Sequence, residues 1–250
     1  MAEAKRIRDR FDARLHVIYV GEHTPGVAEK FADALTEFDL PADVPIHYGT
    51  GAPAKAILNA AMENNVDLIV AGALEREVVL RPFLGDVARS LVRDAKSSVF
   101  LFTKPDQVPK AMKRIVFVTD YSDHSRNALR HTFHLAAAES CERLYVVRVY
   151  TTFDRARANL QAGVEQGDSR LRTFEEEETA LEEFILSAGQ TDVLIEARCL
   201  RGNTGFAASD FVQSIEADLL TVPAPPDASG LPSRVAWVTE VIPCNLWVIR

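Results

Sequence analysis

A stretch in the first half of the chain has the residue types and spacing of a loop that holds phosphate groups. It runs from an apolar segment ending at Gly72 to Gly85, which directly precedes Asp86 at the start of a helix-forming segment. A glycine turn before a helix N-terminus offers backbone N–H groups and the positive helix end to phosphate oxygens. Glu75 and Asp86 instead present carboxylates there, and an N-terminal Asp stabilises a helix that has no ligand. A capped structural helix is therefore favoured over a phosphate site.

The matching stretch of the second half keeps the strand but loses the glycine turn. After the strand-forming segment 218–222, Pro223 occupies the position that corresponds to Gly72. Proline has no N–H to give to a phosphate, and it fixes its own φ. Gly230 and Ser233 could form a weak anion nest, but this is disfavoured because the prolines remove donors.

The opening of the second half carries candidate ligand-binding residues of another kind. A strand-forming run ends at Thr119 and Asp120, and Ser122 follows at the start of a helix. Open parallel sheets bind ligands at the carboxyl ends of their strands, so these three residues form a candidate site. Asp120 and His124, with Ser122 or Ser125, have the composition of a hydrolytic triad, but no Gly-x-Ser-x-Gly turn surrounds either serine. A turn with a helix cap is favoured over catalysis.

A group of histidines follows on the same predicted helix. His131 and His134 lie three positions apart, with His124 nearby. Paired histidines can bind a metal ion, but here no carboxylate or cysteine completes a recognisable ligand pattern. The sequence therefore predicts no metal site and treats these histidines as helix-surface or core residues.

The two halves of the chain repeat one order of elements. The β-rich run 14–20 matches 143–149, and 67–70 matches 218–221. Other matched elements are the short strands that end near Gly51 and Gly202, the helices 54–64 and 206–215, and the terminal strands 98–102 and 245–249. Strands that alternate with helices predict a parallel sheet with helices on both faces. The linker 103–110 contains two prolines and separates predicted domains 1–105 and 110–250.

These elements resemble the universal stress protein family over essentially the whole chain. The family has Gly, two residues, Gly, nine residues and Gly-Ser or Gly-Thr after its fourth strand. Positions 72, 75 and 85 keep that spacing after the run Asp-Leu-Ile-Val-Ala-Gly, but Glu75 replaces the second glycine and Asp86 the hydroxyl residue. The opening 114–129 is similar to the family's first strand, which ends in Asp before a Ser-containing turn and a helix.

The resemblance implies a fold and the roles of the candidate residues. The expected fold is α/β, with two open parallel-sheet domains of the Rossmann-like, adenine nucleotide alpha hydrolase-like kind in a pseudo-twofold tandem. Thr119, Asp120 and Ser122 would be the remnant of an adenine end, and Gly72, Gly85 and Asp86 the remnant of a phosphate loop. These remnants lie in different domains and do not add up to one complete site.

The first half lacks a match for the family's first strand. Its opening helix, 2–11, stands where the family has its first helix, and no strand precedes it. A missing central strand leaves its neighbours with unpaired backbone groups, which are costly to bury. Three explanations remain open: the true start lies upstream, the chain is truncated, or the remaining strands close the gap. The family also pairs its last strands antiparallel between subunits, and here we expect that pairing within one chain.

Composition excludes several classes of function. The net charge of −8 and the pI near 5.3 argue against nucleic-acid binding, which needs a basic surface. The three cysteines, at 141, 199 and 244, are scattered and odd in number, as expected in a reducing cytoplasm. No apolar run reaches the roughly 20 residues of a membrane helix, so a cytoplasmic location is expected.

The predicted function is a non-catalytic regulatory or binding protein of the stress response, with nucleotide binding weak or lost and no cofactor. One alternative is a sensor that binds ATP, AMP or another small ligand at the second-domain strand ends. A second alternative, slow ATP hydrolysis, is disfavoured because no general base, metal ligand set or intact phosphate cradle is visible. The protein partner is not identified, and homodimerisation beyond the intramolecular pair stays open.

Overall fold

The computed structural model describes residues 1–72, 85–105, 108–150, 174–225, 231, 236–239 and 244–250. The strands in these segments are β1 (Val17–Val20), β2 (Ile46–Gly49), β3 (Leu68–Gly72), β4 (Ser98–Phe102), β5 (Arg114–Thr119), β6 (Arg143–Tyr150), β7 (Ile195–Arg201), β8 (Leu219–Pro223) and β9 (Asn245–Ile249). The helices are α1 (Ala2–Phe11), α2 (Pro25–Glu37), α3 (Pro53–Glu63), α4 (Asp86–Asp94), α5 (Asp123–Ala138), α6 (Phe174–Ala188) and α7 (Thr204–Ser214). A short 3-10 helix spans Ala236–Thr239.

Seven strands form one sheet that runs through both halves of the chain. Their order is β3-β4-β9-β8-β5-β6-β7, and every neighbouring pair is parallel except β4–β9. The two halves therefore meet where their terminal strands pair antiparallel, with Phe100 opposite Trp247. This is the intramolecular pairing of the two terminal strands that the family resemblance implies.

Helices cover both faces of this sheet because its central strands are apolar on both sides. Along β4, Val99 and Leu101 face one core cluster while Phe100 and Phe102 face the other, as the two-residue period of a strand requires. The first cluster includes residues of α3, α4 and α7, and the second includes residues of α1, α5 and α6. Continuous apolar runs of this kind are typical of buried parallel strands.

The sheet of the first half is split. Strands β1 and β2 pair with each other in a separate two-stranded parallel sheet, and all their residues are only half-buried. Helix α3 lies against them, and its Ile57 and Leu58 pack against the first core cluster of the main sheet. Within the described residues, β3 pairs with β4 alone. Among the strands that the structure describes, none closes the gap that the sequence analysis expects beside β3.

Helix α1 packs on the second half through one buried carboxylate. Glu139, at the end of α5, accepts hydrogen bonds from Arg6 Nη1 at 3.2 Å and Arg10 Nε at 2.9 Å. It also accepts the backbone N–H of Met112 at 3.2 Å. Ile7, on the same helix, is buried among the aromatic residues of the second core cluster. A charged group and an apolar group thus hold α1 in place together.

The described helices are all too short or too polar to cross a lipid bilayer.

Replacing Glu139 with Ala should destabilise the fold by about 2–3 kcal/mol, because two arginines and a buried N–H lose their acceptor. The Glu139 side chain is 1% exposed, although Arg6 keeps a second partner in Glu3. Glu142 is a matched control, since its carboxylate is 68% exposed and lies 3.6 Å from Lys113 Nζ. Glu142→Ala should cost less than about 1 kcal/mol. Urea unfolding measures both, and equal losses would contradict the anchoring role of Glu139.

Candidate functional site

The predicted residues at the carboxyl end of β5 come together in one turn. Thr119 Oγ1 lies 3.0 Å from Ser125 Oγ and accepts the N–H of Tyr121 at 3.0 Å. Asp120 Oδ1 accepts the N–H of Ser122 at 3.0 Å and its hydroxyl at 2.6 Å. Ser122 in turn caps α5, because its Oγ accepts the N–H of Ser125 at 3.1 Å. Most of the polar groups expected at an adenine end are thus engaged within the turn.

One carboxylate oxygen of this turn has no hydrogen bond within the described residues. Both contacts of the Asp120 carboxylate use Oδ1, and Oδ2 has no hydrogen bond within the described residues. Asp120 is also only half-buried. This oxygen is therefore able to accept a hydrogen bond from a ligand at the strand end.

A cluster that the sequence did not predict lies beside the turn. Arg148 stands opposite Thr119 in the β5–β6 ladder, and its guanidinium lies 4.7 Å from the centroid of the Tyr121 ring. Arg148 Nε donates to Glu177 Oε1 at 3.1 Å, and the Glu177 side chain is only 5% exposed. Tyr121 lies in the turn after β5 and has a positive φ of 66°. The three side chains fill space at the carboxyl end of β5 and β6.

A signal for this cluster was present in the sequence. Arg148 is a charged residue inside the otherwise apolar or aromatic run 144–149, and a charge within a buried strand needs a partner. Its partner, Glu177, lies 29 positions away in an acidic helix start and could not be chosen over the neighbouring glutamates from sequence alone.

The predicted phosphate-loop residues of the first half flank a gap in the described chain. Gly72 ends β3 opposite Phe102 and is exposed, with open space where a Cβ would lie. Gly85 is the N-cap residue of α4, with its carbonyl accepting the N–H of Arg89 at 2.9 Å. Glu75 lies outside the described residues, as does the loop between the two glycines.

Asp86 occupies the first turn of α4. Its side chain is 93% exposed and lies 3.6 Å from Arg89 Nη1. The carboxylate therefore interacts with its own helix, as expected for a structural helix start, and lowers the positive potential that a phosphate would need.

The second-half equivalent continues as a strand. Pro223 is the buried last residue of β8, opposite Ile249, and Ala224 N–H donates to Ile249 O at 2.8 Å. The chain at the position of the first loop glycine is thus bound to β9 and has no N–H at Pro223. Gly230 and Ser233 lie outside the described residues.

The histidines and cysteines have structural surroundings. His124 Nε2 lies 3.1 Å from Ile249 O, His134 Nε2 lies 2.9 Å from Arg10 O, and His131 is exposed. Among the described residues, no three His, Cys, Asp or Glu side chains are grouped to hold a metal ion. Burial raises the pKa of all three thiols, that of Cys199 to about 11, so at neutral pH each is protonated.

Replacing Ser122 with Ala should cost about 1 kcal/mol of stability, because α5 loses its side-chain cap and Asp120 loses a hydrogen bond. Ser214 offers a matched control, since its hydroxyl donates to Phe211 O near the exposed end of α7. Ser214→Ala should change stability by less than about 0.5 kcal/mol. Thermal or urea unfolding compares the two, and a neutral Ser122→Ala would mean that the turn does not support the fold.

The comparisons with known proteins agree with this architecture. The model of the universal stress protein family matches residues 26–103 and 112–249. No curated protein matches the chain. A protein of unknown function from Pseudomonas aeruginosa PAO1 is similar in structure, with a TM-score of 0.69, 13% identity and coverage of 99% of this chain and 85% of that one.

Two further solved structures carry the family description. A putative universal stress protein from Pseudomonas aeruginosa UCBPP-PA14 has a TM-score of 0.69 and 13% identity, over 99% of this chain and 86% of that one. A universal stress protein from Archaeoglobus fulgidus DSM 4304 has a TM-score of 0.56 and 17% identity, over 94% of this chain and 83% of that one. At these identities the likeness shows the fold, and the family model covers most of both halves. The chain therefore belongs to the universal stress protein family, as a tandem of two of its α/β domains.

Proposed function

We propose that this chain is a non-catalytic cytoplasmic protein of the stress response that works by binding other proteins, with nucleotide binding weak or lost. The observation that carries the proposal is that the polar groups at the carboxyl ends of the second-half strands already bond to other protein groups. There the turn residues bond to one another, and Arg148, Tyr121 and Glu177 pack beside them. A nucleoside entering at this end would have to displace an ion pair that is largely shielded from water.

The phosphate side supports the same proposal. A nucleotide brings negative charge to the loop, where Asp86 adds a carboxylate in one half and Pro223 removes a donor in the other. The chain also carries a net charge of −8, so long-range attraction of an anion is weak.

The proposal of a non-catalytic role rests on the lack of an activated group at this end of the described sheet. Ser122 is engaged as a helix cap, and His124 bonds a backbone carbonyl and not the serine. A hydrolytic serine needs a base within hydrogen-bond reach to accept its proton.

A sensor of ATP, AMP or another small ligand is the second candidate, and one observation favours it. Asp120 Oδ2 is without a hydrogen bond within the described residues, at the strand end where ligands of open parallel sheets bind. An adenine or ribose donor could use that oxygen if the Arg148 side chain moved aside.

Nucleotide content and affinity distinguish the two candidates. The purified chain is heat-denatured, the released small molecules are analysed by mass spectrometry, and ATP is titrated in a thermal-shift assay. If the chain only binds proteins, no nucleotide should be released on denaturation, and ATP should not change the melting temperature. ATP at ~100 times its dissociation constant would instead stabilise the fold by about 2.7 kcal/mol.

Two aspartate variants show whether an ATP-induced thermal shift, if one is observed, comes from binding at Asp120. Asp123 is the control, because its side chain is 89% exposed and pairs with Arg126 on the surface of α5. A shift lost in Asp120→Ala and kept in Asp123→Ala would establish the sensor and overturn the proposal of lost nucleotide binding.

A further inference from the structure

The second-half edge of the main sheet has a self-complementary sequence. Strand β7 is the last strand there in the described part of the chain, and it pairs with β6. The residues along this edge read Leu194-Ile-Glu-Ala-Arg-Cys-Leu200. When this segment is reversed about Ala197, Ala meets Ala, an acid meets a base, and apolar residues meet Cys or an apolar residue. Two antiparallel copies of the strand would therefore match each other residue by residue.

The backbone of β7 suits a pairing centred on Ala197. Leu144 N–H donates to Leu194 O at 3.0 Å, and Gly202 N–H donates to Tyr150 O at 3.1 Å. Positions 194 and 202 therefore direct their backbone groups to β6, and the odd-numbered positions between them direct theirs outward. In an antiparallel pair, two residues whose outward groups meet exchange two hydrogen bonds. Ala197 can form such a pair with Ala197 of a second copy.

The charges of β7 favour this register over its neighbours. With the axis at Ala197, Glu196 of each copy lies opposite Arg198 of the other. An axis shifted by one residue would place Glu196 opposite Glu196, or Arg198 opposite Arg198, and like charges directly opposite destabilise a strand pair. An axis shifted by two residues would place Glu196 opposite Leu194 or Gly202, where it meets no charge. The register centred on Ala197 is therefore the one that pairs both acids with bases.

Arg198 is able to turn toward a second copy. In the single chain, Arg198 and Arg143 both contact the carboxylate of Glu196, so two bases share one acid. The hydrogen bond from Arg143 lowers the pKa of Glu196, and its carboxylate is therefore ionised at neutral pH. The Arg198 side chain is 54% exposed, whereas that of Glu196 is 20% exposed. Arg143 can thus keep Glu196 in place while Arg198 pairs with the other copy.

Apolar side chains beside this edge are uncovered in the single chain. Leu194 is 56% exposed, and Leu186, near the end of α6, is 76% exposed. Leu186 lines a shallow groove together with Ile195 at the beginning of β7. The register centred on residue 197 places Leu194 opposite Leu200 of a second copy and Ile195 opposite Cys199. Pairing of the two edges would therefore remove apolar surface from water.

We propose that β7 is a homodimer interface, at which two copies of this chain pair antiparallel about a twofold axis at Ala197 and join their sheets. Charged side chains usually discourage pairing at a sheet edge. On β7 their order disfavours an apolar strand and admits a strand of the same sequence, so a second copy is the occupant. The intramolecular β4–β9 pair stays intact in this dimer. A net charge of −8 on each copy opposes association, so we expect a reversible dimer.

A disulfide across the axis tests the register. Residues of a hydrogen-bonded antiparallel pair have Cα atoms about 5.5 Å apart, within the range that a disulfide spans. In a chain with Cys141→Ser and Cys199→Ser, Ala197→Cys should form a disulfide-linked dimer on mild oxidation, measured on a non-reducing gel. Leu194→Cys is the matched control. It is more exposed than position 197, but roughly 20 Å of strand would separate the two copies of this residue.

Charge reversal tests the contact between Glu196 and Arg198. Glu196→Lys places two bases opposite each other, and Arg198→Glu places two acids opposite each other. Each variant alone should therefore dimerise at least about tenfold more weakly than the wild-type chain in sedimentation velocity. An equal mixture of the two variants brings opposite charges together at both positions and should dimerise again. Glu37→Lys, on the exposed face of α2 in the first half, is the control and should leave the dimer unchanged.

Several results would overturn the proposal. These are a wild-type chain that stays monomeric up to its solubility limit, equal disulfide yields at positions 197 and 194, and a mixture of charge variants no more dimeric than either variant alone. A dimer that Glu196→Lys leaves unchanged would also overturn it, because another surface would then form the interface. The disulfide measurement retains both charges of β7, so it stands even if a charge variant fails to fold.

Discussion

The structure depends on the antiparallel pairing of β4 with β9. Both strands are largely apolar and would promote aggregation at an open edge, and pairing with each other covers both edges. Phe100 stacks on Trp247 across the pair, with ring centroids 5.7 Å apart. Asn245 Oδ1 accepts the N–H of Thr103, and Arg250 N–H donates to Ser98 Oγ, so both ends of the pair are also bonded. Through this pair the two core clusters extend across both halves.

The two halves use the same sheet position in different ways. In the second half, β5 completes the sheet, its start is held by Asp218, and its end turns into a bonded loop beside Arg148. In the first half, β3 is held by β4 on one side, and the β1–β2 pair is attached through α3. A two-stranded sheet is marginal by itself in water. The described part of the first half therefore depends on the second half for its stability.

Local patterns were sufficient to predict much of the fold. The bounds of α1, β4 and β9 agree with the sequence prediction, and α4 begins at Asp86 as the Gly-Asp pair indicates. The apolar runs and the helix start signals act within a few residues, so they are readable without a partner. The turn at Thr119, Asp120 and Ser122 was also predictable, because Asp and Ser bond to backbone groups close by in sequence. The Arg148–Glu177 pair was not predicted, since 29 positions separate its members.

The sequence by itself determined that the chain is a repeat of one α/β unit and that each unit ends in an apolar strand. These are consequences of composition and periodicity along the chain. Tertiary structure alone decided that β1 and β2 separate from the main sheet, that Arg148 packs beside the candidate ligand residues, and that Asp218 holds the beginning of β5. The physical reason is that strand pairing and side-chain burial depend on groups that lie far apart in sequence.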